Sequence, residues 1–266
     1  MQVMGVVNVT PDSFSDGGRF LDRDAALAHA RALVAQGAHW IDVGGESTRP
    51  RAEPVPEAEE LRRVLPVVEA LAAEGVAVSI DTRKAAVAEA AVAAGARMVN
   101  DVSASPALAA VAAATGVAFA AMHMRGDPAT MQRDPRYDDV VAEVRDYLVA
   151  RADAARAAGV AEVWVDPGIG FGKTLDHNLD LLANLDVLVA TGYPVLVGTS
   201  RKAMLGQLAA RATPGGGVAP ESDRLEGSLA TAVWARLAGA AMVRVHDVGA
   251  TVRALGAVEV AAAPAA

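Results

Sequence analysis

The sequence contains eight short β-branched runs separated by alanine-rich stretches of helical character, and this alternation limits the fold more than any other feature. Such alternation indicates βαβ units and a parallel sheet. Pairs such as Gly37-Ala38 and Gly95-Ala96 stand where the helical stretches should end, because glycine tolerates the left-handed conformation after a helix. Eight units predict a single (β/α)8 TIM barrel, and an open doubly wound sheet is the structural alternative.

The predicted elements fill most of the chain. The strands are Val3–Asn8, Trp40–Gly44, Val76–Asp81, Met98–Asp101, Phe119–His123, Val163–Asp166, Pro194–Gly198 and Met242–Arg244. The helices are Asp24–Gln36, Pro56–Glu74, Lys84–Ala94, Pro106–Ala114, Tyr137–Ala158, His177–Ala190 and Asp223–Ala238. We assign residues 1–258 to one barrel domain and residues 259–266 to a disordered alanine-rich tail.

Composition excludes several classes of partner and site. A net charge of −8 disfavours nucleic acid, whose phosphates require a basic surface. The absence of cysteine excludes disulfides and thiolate-bound metals. No charged segment precedes the first strand, so we expect no signal peptide and a cytoplasmic protein. The uncharged run 102–122 contains Pro106 and Gly116, and most of its apolar positions are alanine, which favours buried core over a membrane span.

Polar residues stand at the ends of most predicted strands, where a parallel barrel should be apolar. They are Asn8, Asp42, Asp81, Asn100, Asp101, His123, Asp166, Arg244 and His246. Helix capping alone would explain a single Asp or Asn after a strand. It does not explain so many strands, nor the His and Arg residues. A shared site at the carboxyl-terminal face of the barrel explains the whole set.

Two kinds of recognition are represented in this set. Asp, Asn and Lys side chains after strands 3, 4, 6 and 7 suit a flat heterocycle with several hydrogen-bond donors and acceptors. The segments 198–202 and 244–246, after strands 7 and 8, carry basic side chains at the loops where barrel enzymes usually bind phosphate. We therefore expect a heterocycle subsite next to an anion subsite.

The few lysines and histidines separate into candidate site residues and structural ones. Lys202 follows strand 7 and is predicted to take part in the site, whereas Lys84 and Lys173 are predicted to be structural. His123 ends strand 5, and its role is left open. The helical histidines are predicted to be surface or capping residues; these are His29, His39 and His177.

Eight segments between residues 5 and 248 resemble, in order and in spacing, the signature segments of the dihydropteroate synthases. They are Gly5–Gly18, Asp42–Pro50, Ile80–Thr82, Asn100–Val102, Met122–Met124, Asp166–Lys173, Ser200–Lys202 and Arg244–Val248. Three positions depart from the usual pattern, namely Arg51, Arg125 and Ala203, and Arg51 adds bulk and charge to a loop expected to meet aminobenzoate.

The resemblance implies a set of ligand contacts. The pterin contacts would be Asp81, Asn100, Asp166 and Lys202. The diphosphate contacts would be Asn8, Thr48, Arg49, Arg244 and His246. The 4-aminobenzoate contacts would be Phe14, Thr48, Pro50, Arg201 and Lys202. The implied cofactor is Mg2+, bound through Asn8 with diphosphate oxygens and waters, which fits the preference of this ion for few protein ligands.

The implied reaction is an alkyl transfer from a pterin diphosphate to the amine of 4-aminobenzoate. Its catalytic residues would be Arg244, His246, Lys202 and Asp81. The expected partners are these two small molecules, with no nucleic acid and no membrane. The resemblance also implies a homodimer formed through helices of the outer ring.

Two other functions remain open on the sequence. A pterin-binding methyltransferase that serves a corrinoid protein would share the barrel and part of the pterin set. The pair Arg244 and His246 disfavours it, because a methylated pterin has no diphosphate. A catalytically silent paralogue could retain most of these motifs, and only an assay separates it from an active enzyme.

Overall fold

The strands of the chain close almost completely into a barrel. The structure, a computed structural model, describes residues 1–9, 19–47, 54–212 and 217–262. Eight parallel strands form one sheet in the order β6-β5-β4-β3-β2-β1-β8-β7. A parallel bridge between Val165 of β6 and Val195, the residue before β7, brings the two outer strands of this order together. The predicted (β/α)8 barrel is therefore confirmed, and the open doubly wound sheet is wrong.

The elements have the following bounds. The strands are β1 (Gln2–Asn8), β2 (Trp40–Gly44), β3 (Val78–Asp81), β4 (Met98–Asp101), β5 (Ala118–Met122), β6 (Val163–Asp166), β7 (Leu196–Val197) and β8 (Met242–Val245). The helices are α1 (Arg19–Ala35), α2 (Glu57–Ala73), α3 (Ala85–Ala93), α4 (Pro106–Thr115), α5 (Val140–Ala157), α6 (Leu175–Ala183), α7 (Leu185–Val189), α8 (Ala203–Ala212), α9 (Leu225–Leu237) and α10 (Val248–Ala262).

Apart from shifted ends, the helices differ from the prediction in three places. The single helix predicted over 177–190 is divided into α6 and α7 at Asn184, whose φ of −118° and ψ of 34° leave the helical region. Helix α8 was not predicted. Helix α10 was not predicted either, and it continues to Ala262, past the boundary placed at residue 258. Within the described residues, no helix is long and apolar enough to cross a bilayer.

Strand residues alternate between two cores, because successive side chains point to opposite faces of a strand. Outward side chains such as Ile41 and Val43 pack beneath the helices. A smaller inner core fills the amino-terminal half of the barrel and consists of Met4, Met98, Ala118, Ala120, Trp164, Leu196 and Met242. This apolar plug closes one end, so the inward side chains further along the strands meet at the carboxyl-terminal mouth.

Candidate active site

An ion-paired cluster lies above the apolar plug, and Arg244 of β8 is at its centre. Nε of Arg244 donates to Oδ2 of Asp42 at 2.6 Å, and Nη2 donates to Oδ2 of Asp81 at 2.8 Å. Burial disfavours the charge on Arg244, but the two carboxylates outweigh it and raise the pKa of the guanidinium above its ordinary value. The strand-end residues of β2, β3 and β8 are therefore held together as one charged unit.

Asp42 joins this unit to β4. Nδ2 of Asn100 donates to Oδ2 of Asp42 at 3.1 Å, and Asp42 is fully buried. Sequence reasoning recognised Asp42 as a polar strand residue but gave it no role in the site. The signal was an acidic residue in the middle of a buried strand, where a charge is costly unless it is paired.

Asp81 and Asp166 are the two predicted pterin carboxylates, and burial affects both. Burial raises the pKa of Asp81 to about 7, with Arg244 opposing the shift and Asp42 adding to it. Burial also raises the pKa of Asp166, while the charge of Lys202 and the Gly168 amide oppose the shift. The Gly168 N–H donates to Oδ1 of Asp166 at 2.7 Å and so fixes the orientation of this carboxylate.

Lys202 reaches across the mouth from the loop after β7. Its Nζ donates to the carbonyl of Ile169 at 2.5 Å and lies 4.7 Å from the centre of the Phe171 ring. Burial lowers its pKa to about 8, while Asp166 favours the charged form and Arg244 disfavours it. Lys202 and Asp166 therefore face the same space. Phe171, which was not singled out in the sequence, contributes an aromatic ring to that space.

The predicted diphosphate residues that the structure describes lie at the rim. Oδ1 of Asn8 and Oδ2 of Asp81 would each be 3.7 Å from a Cβ atom placed on Gly44, so they face the same gap. Nδ1 of His246 lies 3.1 Å from Oγ of Ser200, which also accepts the backbone N–H of His246 at 3.1 Å. These contacts between Ser200 and His246 connect the end of β8 to the basic loop after β7.

Arg201 forms an ion pair with Asp247 of the same chain. Its Nε and Nη2 donate to the two carboxylate oxygens of Asp247 at 3.0 and 2.5 Å. Its backbone has a φ of +59°, and its carbonyl accepts a hydrogen bond from Nη1 of Arg224 at 2.8 Å. The predicted contact of Arg201 with aminobenzoate stays a prediction. The same holds for Phe14, Thr48, Arg49 and Pro50, which lie outside the described residues.

One strand-end residue, Asp101, and one residue that precedes a helix, Lys84, have structural partners. Asp101 is fully buried and accepts hydrogen bonds from the Ser103 N–H and hydroxyl at 2.7 and 2.6 Å and from the Ser105 N–H at 2.5 Å. Asp101 therefore accepts hydrogen bonds from the turn before α4. This is the structural role that helix capping offers for a polar residue at a strand end. Lys84, predicted to be structural, bridges Glu46 and the buried Glu60.

Lys173 and His123 form a second buried cluster, which lies beneath the loop after β6. Nζ of Lys173 donates to the carbonyls of Gly168 and Phe171 at 3.0 Å each and of His123 at 3.3 Å. It also lies 2.9 Å from Nδ1 of His123. Burial, followed by the charge of Lys173, lowers the pKa of His123 to about 3, and burial lowers the pKa of Lys173 to about 7. The imidazole is therefore neutral.

The loop above this cluster fits closely against β5. Gly168 and Gly172 have φ values of +63° and +61°, and a Cβ atom on either would collide with the carbonyl of His123 or of Arg125. Glycine is required at both positions for its conformation and for its lack of a side chain. The next helix, α6, begins with a capping box between Thr174 and His177, which confirms the capping role predicted for His177.

The sequence and the fold are both similar to known proteins. The family model described as pterin binding enzyme matches residues 4–246. Dihydropteroate synthase of Mycobacterium leprae is 52% identical over 261 residues, covering 96% of this chain and 91% of its own. The structure of Xanthomonas albilineans dihydropteroate synthase with 4-aminobenzoic acid is 48% identical, has a TM-score of 0.90 and covers 99% of this chain and 94% of its own.

A second structure of the Xanthomonas albilineans enzyme, in complex with 7,8-dihydropteroate, has a TM-score of 0.87 and 45% identity and covers 99% of this chain and 94% of its own. The similarity therefore extends over the strands that carry Asp81, Asn100, Asp166 and Arg244 and over the loops between them. The chain belongs to the pterin-binding enzyme family and, within it, to the dihydropteroate synthases, the transferases that make dihydropteroate.

Proposed function

We propose that this chain condenses 6-hydroxymethyl-7,8-dihydropterin diphosphate with 4-aminobenzoate and releases 7,8-dihydropteroate and diphosphate in folate biosynthesis. One observation carries the proposal. Arg244, paired with Asp42 and Asp81, lies in the same barrel mouth as Asp166 and Lys202. This arrangement offers acceptors for a cationic heterocycle beside donors for an anionic leaving group. The relatives that bind 4-aminobenzoic acid and 7,8-dihydropteroate support it.

The pterin lies, in this proposal, between Asp81, Asn100, Asp166 and Lys202. The Gly168 amide orients Asp166, so that its carboxylate can accept two hydrogen bonds from the amino-pyrimidinone edge of the ring. Lys202 donates to a ring acceptor while the Ile169 carbonyl holds its Nζ in place. The Phe171 ring, against which Lys202 packs, offers an apolar face to the flat heterocycle.

The reaction breaks the bond between the pterin methylene carbon and the diphosphate oxygen, and the electron pair leaves with diphosphate. The lone pair of the aminobenzoate nitrogen then forms the new C–N bond, and the amine loses one proton. Arg244 and His246 stabilise the charge that develops on the departing diphosphate. Asp81 and Asp166 stabilise the positive charge that develops on the pterin. Since no covalent enzyme intermediate is required, the chain needs no nucleophilic side chain.

The residues of the mouth are compatible with Mg2+. Asn8 contributes an amide oxygen beside the carboxylate of Asp81, at the gap over Gly44. Residues 1–9, 19–47, 54–212 and 217–262 contain no cluster of three acidic, His or Cys side chains suited to a metal. Mg2+ requires few protein ligands when substrate phosphates supply the others. We therefore assign Asn8 as the protein ligand; bound Mg2+ would neutralise charge on the leaving diphosphate.

The other contacts follow from the family rather than from the described geometry. We propose that Thr48 and Arg49 contact the diphosphate and that Phe14, Thr48 and Pro50 contact 4-aminobenzoate, together with Arg201 and Lys202. We also propose a cytoplasmic homodimer that binds neither nucleic acid nor membrane.

Release of diphosphate tests the function directly. We expect the purified chain to release diphosphate from the pterin substrate only when both 4-aminobenzoate and Mg2+ are present, with equimolar formation of dihydropteroate. Tight binding of the pterin without release would indicate a silent paralogue. Release of diphosphate without incorporation of aminobenzoate would be consistent with the pterin site but would refute the condensation.

A further inference from the structure

Asp42 has no contact with a substrate in the function proposed above, yet its carboxylate bonds to side chains on two other strands, β4 and β8. Its Oδ2 accepts from Nε of Arg244 at 2.6 Å and from Nδ2 of Asn100 at 3.1 Å. It therefore joins a predicted diphosphate residue on β8 to a predicted pterin residue on β4. Its own side chain is fully buried, and it lies two residues before Gly44, the last residue of β2.

The first consequence concerns the amide of Asn100, which could face the ligand with its oxygen or with its nitrogen. An ionised carboxylate only accepts hydrogen bonds, so Asp42 requires the NH2 group of Asn100 on its side. The oxygen of the amide must then take the other side. Oδ1 of Asn100 accepts no hydrogen bond from the described residues, which leaves it available to an N–H donor of the pterin.

The second consequence concerns Arg244. Asp42 and Asp81 hold two different nitrogens of its guanidinium, Nε and Nη2, and so fix both the position and the plane of the group. Nη1 makes no hydrogen bond to any residue in the described part of the chain. Without Asp42 the guanidinium would keep one anchor and could rotate about it.

Burial of the Asp42 carboxylate costs folding free energy, and no hydrogen bond to its second oxygen, Oδ1, offsets this cost. Oδ1 of Asp42 is one of two buried side-chain oxygens in the described residues that have no hydrogen-bond partner; the other is Oγ of Ser79. Packing alone would favour an apolar residue at this level of β2, because a buried group that lacks a partner destabilises the fold. The carboxylate is better explained by what it does to its neighbours.

We propose that Asp42 is a positioning residue that sets the amide orientation of Asn100 and the plane of Arg244, and thereby selects a ligand with an N–H donor at the Asn100 position. The inference rests on the pterin site proposed above. The class of ligand selected is a reduced or oxidised pterin whose ring presents a donor to Asn100 and an acceptor to Lys202.

The test compares two variants at the same level of neighbouring strands. Asp42 and Ser79 are register partners on β2 and β3, and both are fully buried. Asp42→Asn can turn either face of its amide toward Asn100, whereas Ser79→Ala removes a polar atom that bonds to neither Asn100 nor Arg244. Calorimetry with 6-hydroxymethyl-7,8-dihydropterin should show at least tenfold weaker binding for Asp42→Asn and less than threefold change for Ser79→Ala.

A double-mutant cycle distinguishes positioning from a general structural role. In an Asn100→Ala background, Asp42→Asn should weaken pterin binding by less than threefold, because the amide through which it acts is gone. Equal losses in the two backgrounds, or unchanged affinity in Asp42→Asn, would overturn the inference. If the wild-type chain itself fails to bind the pterin, the proposed function is wrong rather than the role of Asp42.

A second measurement does not depend on the folding of any variant. In a crystal structure of the wild-type chain with the pterin, at about 1.2 Å resolution or better, the hydrogen-bond pattern assigns the amide. Nδ2 of Asn100 should face Asp42 and Oδ1 should face a ring N–H. The reverse orientation would refute the positioning role.

Discussion

At the scale of single residues, the proposed pterin contacts include two carboxylates, Asp81 and Asp166, that are largely removed from water. We expect Asp166→Asn to weaken pterin binding by about 2 kcal/mol, the usual loss when a charge-assisted pair of hydrogen bonds is broken. Calorimetric titration measures the change. Asp101→Asn is the matched control, because Asp101 also ends a buried strand but bonds only to Ser103 and Ser105. Equal losses in the two variants would show that Asp166 does not contact the ring.

Asp81 should make stability depend on pH in a definite direction. Burial raises its pKa from 3.8 to about 7 in the folded chain. Between these values the folded state holds a proton that the unfolded state has lost, so the contribution of Asp81 to the free energy of unfolding falls as pH rises from about 4 to about 7. Asp81→Asn removes this dependence.

Urea unfolding at pH 5 and pH 7.5 measures the effect of Asp81. Other groups titrate in the same interval, so the comparison is between the wild-type chain and Asp81→Asn rather than between two pH values alone. The stability advantage of the wild-type chain over the variant should be larger at pH 5. The same difference at both values would show that Asp81 ionises near its ordinary pKa.

Asp42 also shows that sequence alone does not predict which residues pair across the barrel. Its position in a buried strand marked it as unusual, but Arg244 lies 202 residues further along the chain. No local pattern indicates which acid meets which base across a barrel. The closure of the sheet decides it, since β1 pairs with both β2 and β8 and brings these two strands to either side of one neighbour.

At the scale of elements, strands were easier to predict than helices. Each predicted strand is present, because β-branched runs bounded by glycine are distinctive. Helices α8 and α10 were missed, since both contain glycine and α10 continues into an alanine-rich terminus that suggested disorder. Their helical state comes from packing: Leu205, Val248 and Leu255 are buried against the barrel, and tertiary contacts override weak propensity.

The loop after β6 is the element on which Asp166 and Lys202 both depend. Lys173, only 3% exposed, holds three backbone carbonyls of this region, and the loop in turn supplies the Gly168 amide to Asp166 and the Ile169 carbonyl to Lys202. We expect Lys173→Met to lower the free energy of unfolding by about 2–4 kcal/mol, because buried acceptors lose their donor. Urea denaturation measures this loss.

His177→Ala is the control for Lys173→Met. It removes the half of the capping box in which His177 accepts the Thr174 N–H, but leaves the interior of the loop untouched, and should cost about 1 kcal/mol or less. The two variants should also differ in function, with pterin affinity reduced only in Lys173→Met. A stable Lys173→Met variant with normal pterin affinity would argue that the loop holds its shape without the amine.

At the scale of the whole molecule, α9 exposes two large apolar side chains on the outer surface of the barrel. Trp234 and Leu237 of α9 are 51% and 66% exposed and lie three residues apart, so they share one side of the helix. Nε1 of Trp234 donates to the carbonyl of Leu182 on α6, which fixes the indole in an exposed position. We propose this side of α9 as an interaction surface, because exposed apolar side chains that lie together can be buried by a partner.

A second copy of the chain is the partner that we propose for this face, and its removal should be measurable. Leu237→Glu places a charge at the centre of the face, where burial against a symmetric copy would bring two carboxylates together. Sedimentation equilibrium should give a dimer for the wild-type chain and a monomer for Leu237→Glu.

Val218→Glu is the control, because Val218 is 62% exposed but lies outside α9, and this variant should remain dimeric. A wild-type monomer at micromolar concentration, or a dimer that survives Leu237→Glu, would contradict the assignment. Because the catalytic mouth is built within one barrel, the monomeric variant should still bind the pterin.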